Sequence, residues 1–233
     1  MNKNIIFTSG HLNDPNSGDI TQVVKQKENK LYYVIDAVSS CDDPRLAAEY
    51  CNDLINTFCI ENDINNRLSI GALLYFLHTS LKEHPKYLTV CLAAVIEHEN
   101  GKRSAFNVGD SRVYEFKKSK IKRITRDDSY IQDLLDTGEI NDIEAHNHCQ
   151  KNFLKQALGN DRELKMNFYD LSENIDGFLI TSDGIHGELM DPQIEHILFK
   201  EELDFKDAYH VLMERSKVLE GLQDDQSVLL KWF

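Results

Sequence analysis

Aspartates close several strand-like runs in this chain. They end Tyr33-Val34-Ile35-Asp36, Phe106-Asn107-Val108-Gly109-Asp110 and Phe178-Leu179-Ile180-Thr181-Ser182-Asp183, and Asp224-Asp225 stands just ahead of Val228-Leu229-Leu230. A strand stiffens the backbone, so a carboxylate at its end is held in a fixed direction. Several such carboxylates meeting at one point make a cage for hard divalent cations such as Mg²⁺ or Mn²⁺, which take oxygen ligands. Packing alone has no use for this pattern, and the first reading is a metal enzyme.

The elements that must aim these carboxylates are visible in the apolar periodicity. Residues 4–9, 20–28 and 31–36 read as strands. Asp42-Asp43-Pro44 opens a helix, with Leu46, Ala47, Tyr50, Leu54, Ile55 and Phe58 at helical spacing. A second helix starts at about Ser69. Residues 88–97 and 103–109 read as a hairpin around Glu99-Asn100-Gly101-Lys102, and 111–116 with 120–124 as another around Lys117-Lys118-Ser119. Residues 128–157 are polar and mostly helical, and read as a small subdomain laid over the sheets. Strands return at 163–169 and 177–182, helices at 191–199 and 204–220, and a last strand at 227–232. Meandering strands with paired helices fit two packed antiparallel sheets with helices outside better than a βαβ winding. No Gly/Ser/Pro linker divides residues 1–233, so one domain is expected.

The bulk numbers narrow the partners. The formal net charge is −13, from 39 acidic against 26 basic residues, which disfavours nucleic acid and anionic membrane. Hydrophobic residues make up 41%, enough for a sizeable core. The five cysteines are odd in number and form no C-x-x-C pair, which argues against a disulfide framework or structural zinc. The first residues lack the apolar core of a signal peptide, and the longest apolar run, Val90 to Ile96, is far short of the ~20 residues that span a bilayer. A cytoplasmic, monomeric protein is expected.

Five segments occur in order: Asn107-Val108-Gly109-Asp110-Ser111-Arg112-Val113-Tyr114, Thr125-Arg126-Asp127-Asp128-Ser129, Gln156-Ala157-Leu158-Gly159, Thr181-Ser182-Asp183-Gly184 and Asp224-Asp225-Gln226-Ser227-Val228. The series resembles the metal-dependent serine/threonine protein phosphatases of type 2C in their compact bacterial form, over nearly the whole chain. That resemblance implies an α+β fold, a four-layer α/β/β/α sandwich of two antiparallel sheets flanked by helix pairs, with a helical flap at about 128–157. It implies two or three Mn²⁺ or Mg²⁺ ions. Asp36 would bridge two of them, with Asp183 and Asp224 completing one ion's ligands and the Ala37 carbonyl serving the other. Asp110 with Asp183 would hold a third ion, and Asp19 would stand near the second. Asp36 and Asp183 are the catalytic candidates; no substrate-binding residue is assigned. The implied reaction is hydrolysis of phosphoserine or phosphothreonine on proteins by a metal-activated water. The partner would be a phosphoprotein made by a cognate Ser/Thr kinase.

Two departures support an alternative, a weak or inactive pseudophosphatase that binds and regulates. The family's Asp-Gly-x-Gly-Gly is replaced by Asp36-Ala37-Val38-Ser39-Ser40, and the N-terminal arginine that grips phosphate is absent from His11 to Asp19. Ser17-Gly18-Asp19 and Asp224-Asp225 also resemble the family's sporulation and stress-response branch. Blander readings stand beside these. A lone strand-end Asp is usually a turn former, Arg112 can be a structural pair, and His186 reads as a loop histidine rather than a proton donor. His146-Asn147-His148 reads as a solvated helix end, and Cys41 shows no sign of a reactive thiol.

Overall fold

The computed structural model describes residues 5–9, 17–199, 205–216 and 224–233. Its strands are β1 (Ile5–Ser9), β2 (Asp19–Gln26), β3 (Asn29–Ala37), β4 (Val90–Glu97), β5 (Arg103–Val108), β6 (Arg112–Lys117), β7 (Lys120–Arg123), β8 (Asn167–Asp170), β9 (Gly177–Thr181) and β10 (Val228–Trp232). Its helices are α1 (Pro44–Glu61), α2 (Arg67–Lys82), α3 (Tyr130–Thr137), α4 (Asp142–His146), α5 (Asp183–His186), α6 (Asp191–Phe199) and α7 (Phe205–Arg215). The strands form two antiparallel sheets, in the orders β1-β10-β9-β6-β7 and β2-β3-β4-β5-β8.

Alternation along single strands builds the layers. In β3, Tyr32 and Val34 point between the sheets, where they meet Ala93, Val95, Phe178, Ile180 and Leu229. Tyr33 and Ile35 point the other way, against α1 and α2 through Ala47, Cys51, Ile55, Leu73 and Leu77. Both faces of the strand are covered, so its sequence is a continuous apolar run rather than an apolar/polar alternation. The second sheet repeats this, with Tyr114, Phe116, Leu179 and Leu230 under Ile194, Ile197, Ala208 and Leu212 of α6 and α7. The Tyr32 and Phe178 rings meet edge to face at 5.1 Å and join the two sheets. Each such fully buried side chain contributes about 1.5–3 kcal/mol. The result is the four-layer α/β/β/α sandwich that the resemblance implied.

Helix starts follow capping chemistry. Asp43 accepts the Leu46 N–H at 3.1 Å, and Pro44 sits in the first turn of α1. The second helix starts at Arg67 rather than Ser69. Asn66 caps it and Ser69 closes a reciprocal box from the third helical position. The strand expected at 163–169 forms only over Asn167–Asp170, because Leu164 and Met166 pack on the α1/α2 core without joining the ladder. Two readings, the start of the first strand at Asn4 and the reach of the last helix to residue 220, lie outside the described residues. Among the described residues, no helix is long and apolar enough to cross a membrane.

Candidate active site

Antiparallel pairing brings the expected carboxylates to one end of the sandwich. Asp19 opens β2 and lies directly opposite Asp36 near the end of β3, which in turn faces Cys91 at the start of β4. The β5 strand stops at Val108, and Gly109 turns the chain into Asp110. At the end of β9, which stops at Thr181, Asp183 follows as expected, and it is the first residue of the short α5. A Thr-Ser-Asp-Gly run after a strand reads locally as a turn, which hides a single helical turn.

One carboxylate oxygen each from Asp36, Asp110 and Asp183 lies within 4.8 Å of the other two. These three, with Asp19, Ala37, Asp224 and Asp225, line a single cavity of about 250 Å³. Asp19, Ala37 and Asp224 are therefore in the same cavity but outside the tight triad. Asp224 is solvent-facing at its rim. The Asp183 N–H points to Asp36 Oδ2 at 3.5 Å.

Electrostatics mark the cluster as unbalanced by protein alone. Burial and then the Asp183, Asp19 and Asp110 charges push the Asp36 carboxyl well above the usual range. Burial, Asp110, Asp224 and Asp19 do the same to Asp183. Asp19 is pushed up to about 8, chiefly by burial. Asp110 is pushed up to about 6 by burial and then by Asp127. Asp19 Oδ2 and Asp110 Oδ1 are buried without a hydrogen-bond partner among the described residues. Orphaned buried oxygens and mutually repelling carboxylates fit a hard divalent cation, which would supply the missing partner and the missing positive charge.

The backbone around the cluster is built for close approach. Gly109 holds φ at +98°, and a Cβ there would lie 2.3 Å from Cys91 Sγ, so no other residue fits. At Gly18 a Cβ would meet that of Pro44 at 2.9 Å. The altered loop after Asp36 needs no such freedom. Among the described non-glycine residues only Lys27, Lys118 and Ser119 have positive φ, so Ala37 to Ser40 sit in ordinary conformations. The Ala37 N–H donates to Gly18 O at 2.9 Å and the Val38 N–H to Thr89 O at 3.0 Å. Loss of the glycines therefore leaves a paired, unstrained loop, which removes one of the two supports for the inactive alternative. The other, the missing arginine, falls largely at positions 10–16, outside the described residues.

Two residues at the site carry no local signal in the sequence. Asn152 and Leu154, from the 128–157 segment, also line the acidic cavity. A neighbouring groove of about 460 Å³ shares Asp110, Asn152 and Asp183 with it and adds Arg112, Lys151 and Met190. Lys151 Nζ donates to Gly187 O at 3.1 Å and reaches Glu188 at 3.3 Å; burial and then the Asp225 charge raise the Asp224 pKa, and the Lys151 charge offsets part of that rise. Arg112 is a structural pair: its Nε lies 3.1 and 3.0 Å from the two Asp127 carboxylate oxygens, and its Nη2 donates to Oδ2 at 2.7 Å. His186 is not on a loop. It is buried in α5 with Nδ1 2.8 Å from Thr181 Oγ1, and burial beside Arg112 and Arg123 drives its pKa well below the usual value. A neutral, enclosed imidazole is a poor proton donor to a leaving group.

Two antiparallel sheets thus lie between helix pairs, with buried carboxylates gathered at one end. No family model matches the chain. It superposes over its full length on serine/threonine phosphatase Stp1 from Staphylococcus aureus, with a TM-score of 0.81, 22% identity and 95% of that chain covered. It covers 98% of the Mycobacterium tuberculosis phosphatase PstP/Ppp at a TM-score of 0.73 and 20% identity. Over 125 residues, 53% of this chain, it is 32% identical to serine/threonine phosphatase Stp of Listeria welshimeri, 49% of which is covered. The chain thus spans about half the length of the curated relatives it matches. In fold the chain is similar to these phosphatases, and over about half its length its sequence is similar to that of the Listeria protein.

Proposed function

We propose that the protein hydrolyses phosphoserine or phosphothreonine on protein substrates with Mn²⁺ or Mg²⁺. The observation that carries this reading is the Asp36–Asp110–Asp183 triad, with its oxygens within 4.8 Å and an unpartnered buried oxygen on Asp110. The kinship with proteins named serine/threonine phosphatases supports it, as does a structure of the PstP catalytic domain with two manganese ions.

Asp36, Asp110, Asp183, Asp224 and Asp19, with the Ala37 carbonyl, would hold two or three ions. Bound ions supply a water of lowered pKa and positive charge against the phosphate oxygens. The protein's own part is to hold its carboxylates rigid on paired strands and to exclude bulk water. Lys151 stands in the groove that shares Asp110 and Asp183, and we assign it the phosphate-binding role that the missing arginine leaves open. Residues 128–157 form the flap of a single domain spanning 1–233. The five free thiols support a cytoplasmic setting, and the net charge of −13 supports a protein partner over nucleic acid. The substrate is the product of a Ser/Thr kinase, and the enzyme is a monomer.

Initial rates on a phosphothreonine peptide test this reading. Turnover should require Mn²⁺ or Mg²⁺ and vanish in excess EDTA. Lys151→Ala should raise KM roughly tenfold with a smaller change in kcat, the loss of one charge-assisted contact. Undiminished turnover in EDTA would sink the metal mechanism. Absence of turnover with either ion would favour the binding-module reading.

A further inference from the structure

Asp110 follows a glycine whose two backbone groups both end on one residue of the flap root. The Gly109 N–H donates to Asp128 Oδ2 at 3.0 Å, and the Gly109 carbonyl accepts the Asp128 N–H at 2.8 Å. Asn107 Nδ2 adds a weaker contact to the same carbonyl at 3.3 Å. Asp128 is 9% exposed, so these bonds are shielded from water. Its Oδ2 also accepts from Gln156 Nε2 at 3.0 Å, and its carbonyl accepts the Lys155 N–H at 2.7 Å. Gln156 exchanges two further bonds with the Lys165 backbone, at 2.8 and 2.6 Å. Both roots of the flap, at 128 and at 155–156, thus converge on a carboxylate that also grips the residue before Asp110.

The Asp110 carboxylate is held only in part: Oδ1 has no partner among the described residues, while the Cys91 thiol hydrogen-bonds to the group. The rest of its aim comes from the backbone, and the Gly109 peptide groups are held by Asp128. We propose that Asp128 is a positioning residue that ties the flap to Asp110 and so sets ion affinity at the Asp36–Asp110–Asp183 cluster. This rests on the metal-enzyme reading above. Outer partners that orient ligands typically change metal affinity 10–100-fold when removed. Alanine at 128 strips the acceptor from Gly109 and from Gln156. Asparagine keeps one acceptor oxygen. Glutamate keeps the charge but pushes the carboxylate one methylene further toward the Gly109 peptide.

Calorimetric titration of the intact chain with Mn²⁺ alone decides the matter. Asp110→Asn identifies the site by weakening it. Asp128→Ala should weaken the same site roughly tenfold or more, Asp128→Glu by about threefold or more, and Asp128→Asn by less than about threefold. Amide exchange gives a second readout: Gly109 should be protected in wild type and Asp128→Asn and unprotected in Asp128→Ala. If Asp128→Ala does not fold, Asp128→Glu decides alone. Mn²⁺ affinities unchanged by Ala and Glu at 128, beside a wild type that binds Mn²⁺, would overturn this inference only. A wild type that takes up no Mn²⁺ would overturn the metal-enzyme reading and the inference with it.

Discussion

Asp36→Asn and Asp183→Asn are each expected to lower kcat by roughly three orders of magnitude or more while leaving the metal-free protein as stable as wild type or more so. The two effects have one cause. One oxygen of each lies within 4.8 Å of the other; besides burial, the Asp183, Asp19 and Asp110 charges raise the Asp36 pKa, and the Asp110, Asp224 and Asp19 charges raise that of Asp183. Removing one charge relieves that repulsion and, in the same step, removes an ion ligand. The pH dependence follows with a definite sign. Asp19 at about 8 and Asp110 at about 6 lie above the ordinary carboxylate value of about 3.9, so the folded metal-free protein holds protons that the unfolded chain has released. That contribution to stability is full below about pH 4 and is lost as pH rises through 6 and 8. Metal-free melting temperatures should therefore fall over that window, and less steeply in Asp36→Asn. Mn²⁺ at about 100 times its Kd should add about 2.7 kcal/mol to wild type, roughly 5–10 °C in Tm. A wild-type melt indifferent to Mn²⁺ would contradict this reading.

The second large effect separates two adjacent residues. Asp224→Asn should reduce kcat by about two orders of magnitude or more, whereas Asp225→Asn should keep Mn²⁺ affinity and leave KM unchanged or lower. Both residues line the acidic cavity, so the contrast rests on the bonds each already makes. Asp225 Oδ2 is already engaged, accepting the Gly18 N–H at 2.6 Å, and the Asp225 carbonyl accepts Ser182 Oγ at 3.3 Å. Both bonds tie the 224–227 loop to neighbouring strand ends, and an asparagine side chain can still accept from Gly18. Asp224 faces the cavity, and its charge raises the pKa of Asp183. Steady-state kinetics with parallel Mn²⁺ titrations measure the contrast. Reversed effects would assign the ligand to Asp225.

The carboxylate cluster was legible because each aspartate sits beside a continuous apolar run, and such runs mark strands covered on both faces. Paired helices between meanders then left few arrangements besides the four-layer sandwich. What stayed hidden depends on distance in sequence. Ser69 looked like a helix start because Asn66 and Ser69 are both capping residue types and share one capping box, with Asn66 outside the helix and Ser69 at its third position. Leu164 and Met166 looked like strand residues because burial against helices draws the same residue types as burial in a sheet. Asp183 could be placed near the site but not on α5, since a single helical turn has no periodicity to read. Asn152, Lys151 and Asp128 act through contacts 19 or more residues away, such as Asp128 with Gly109, and nothing local announces them.

The central claim is that Asp36, Asp110 and Asp183 form a divalent-metal centre, and anomalous scattering from crystals soaked in Mn²⁺ tests it most directly. Peaks should appear in the acidic cavity within coordination distance of Asp36 and Asp183, and should be lost in Asp36→Asn. Crystals of wild type that show no anomalous peak in that cavity at millimolar Mn²⁺ would contradict the account.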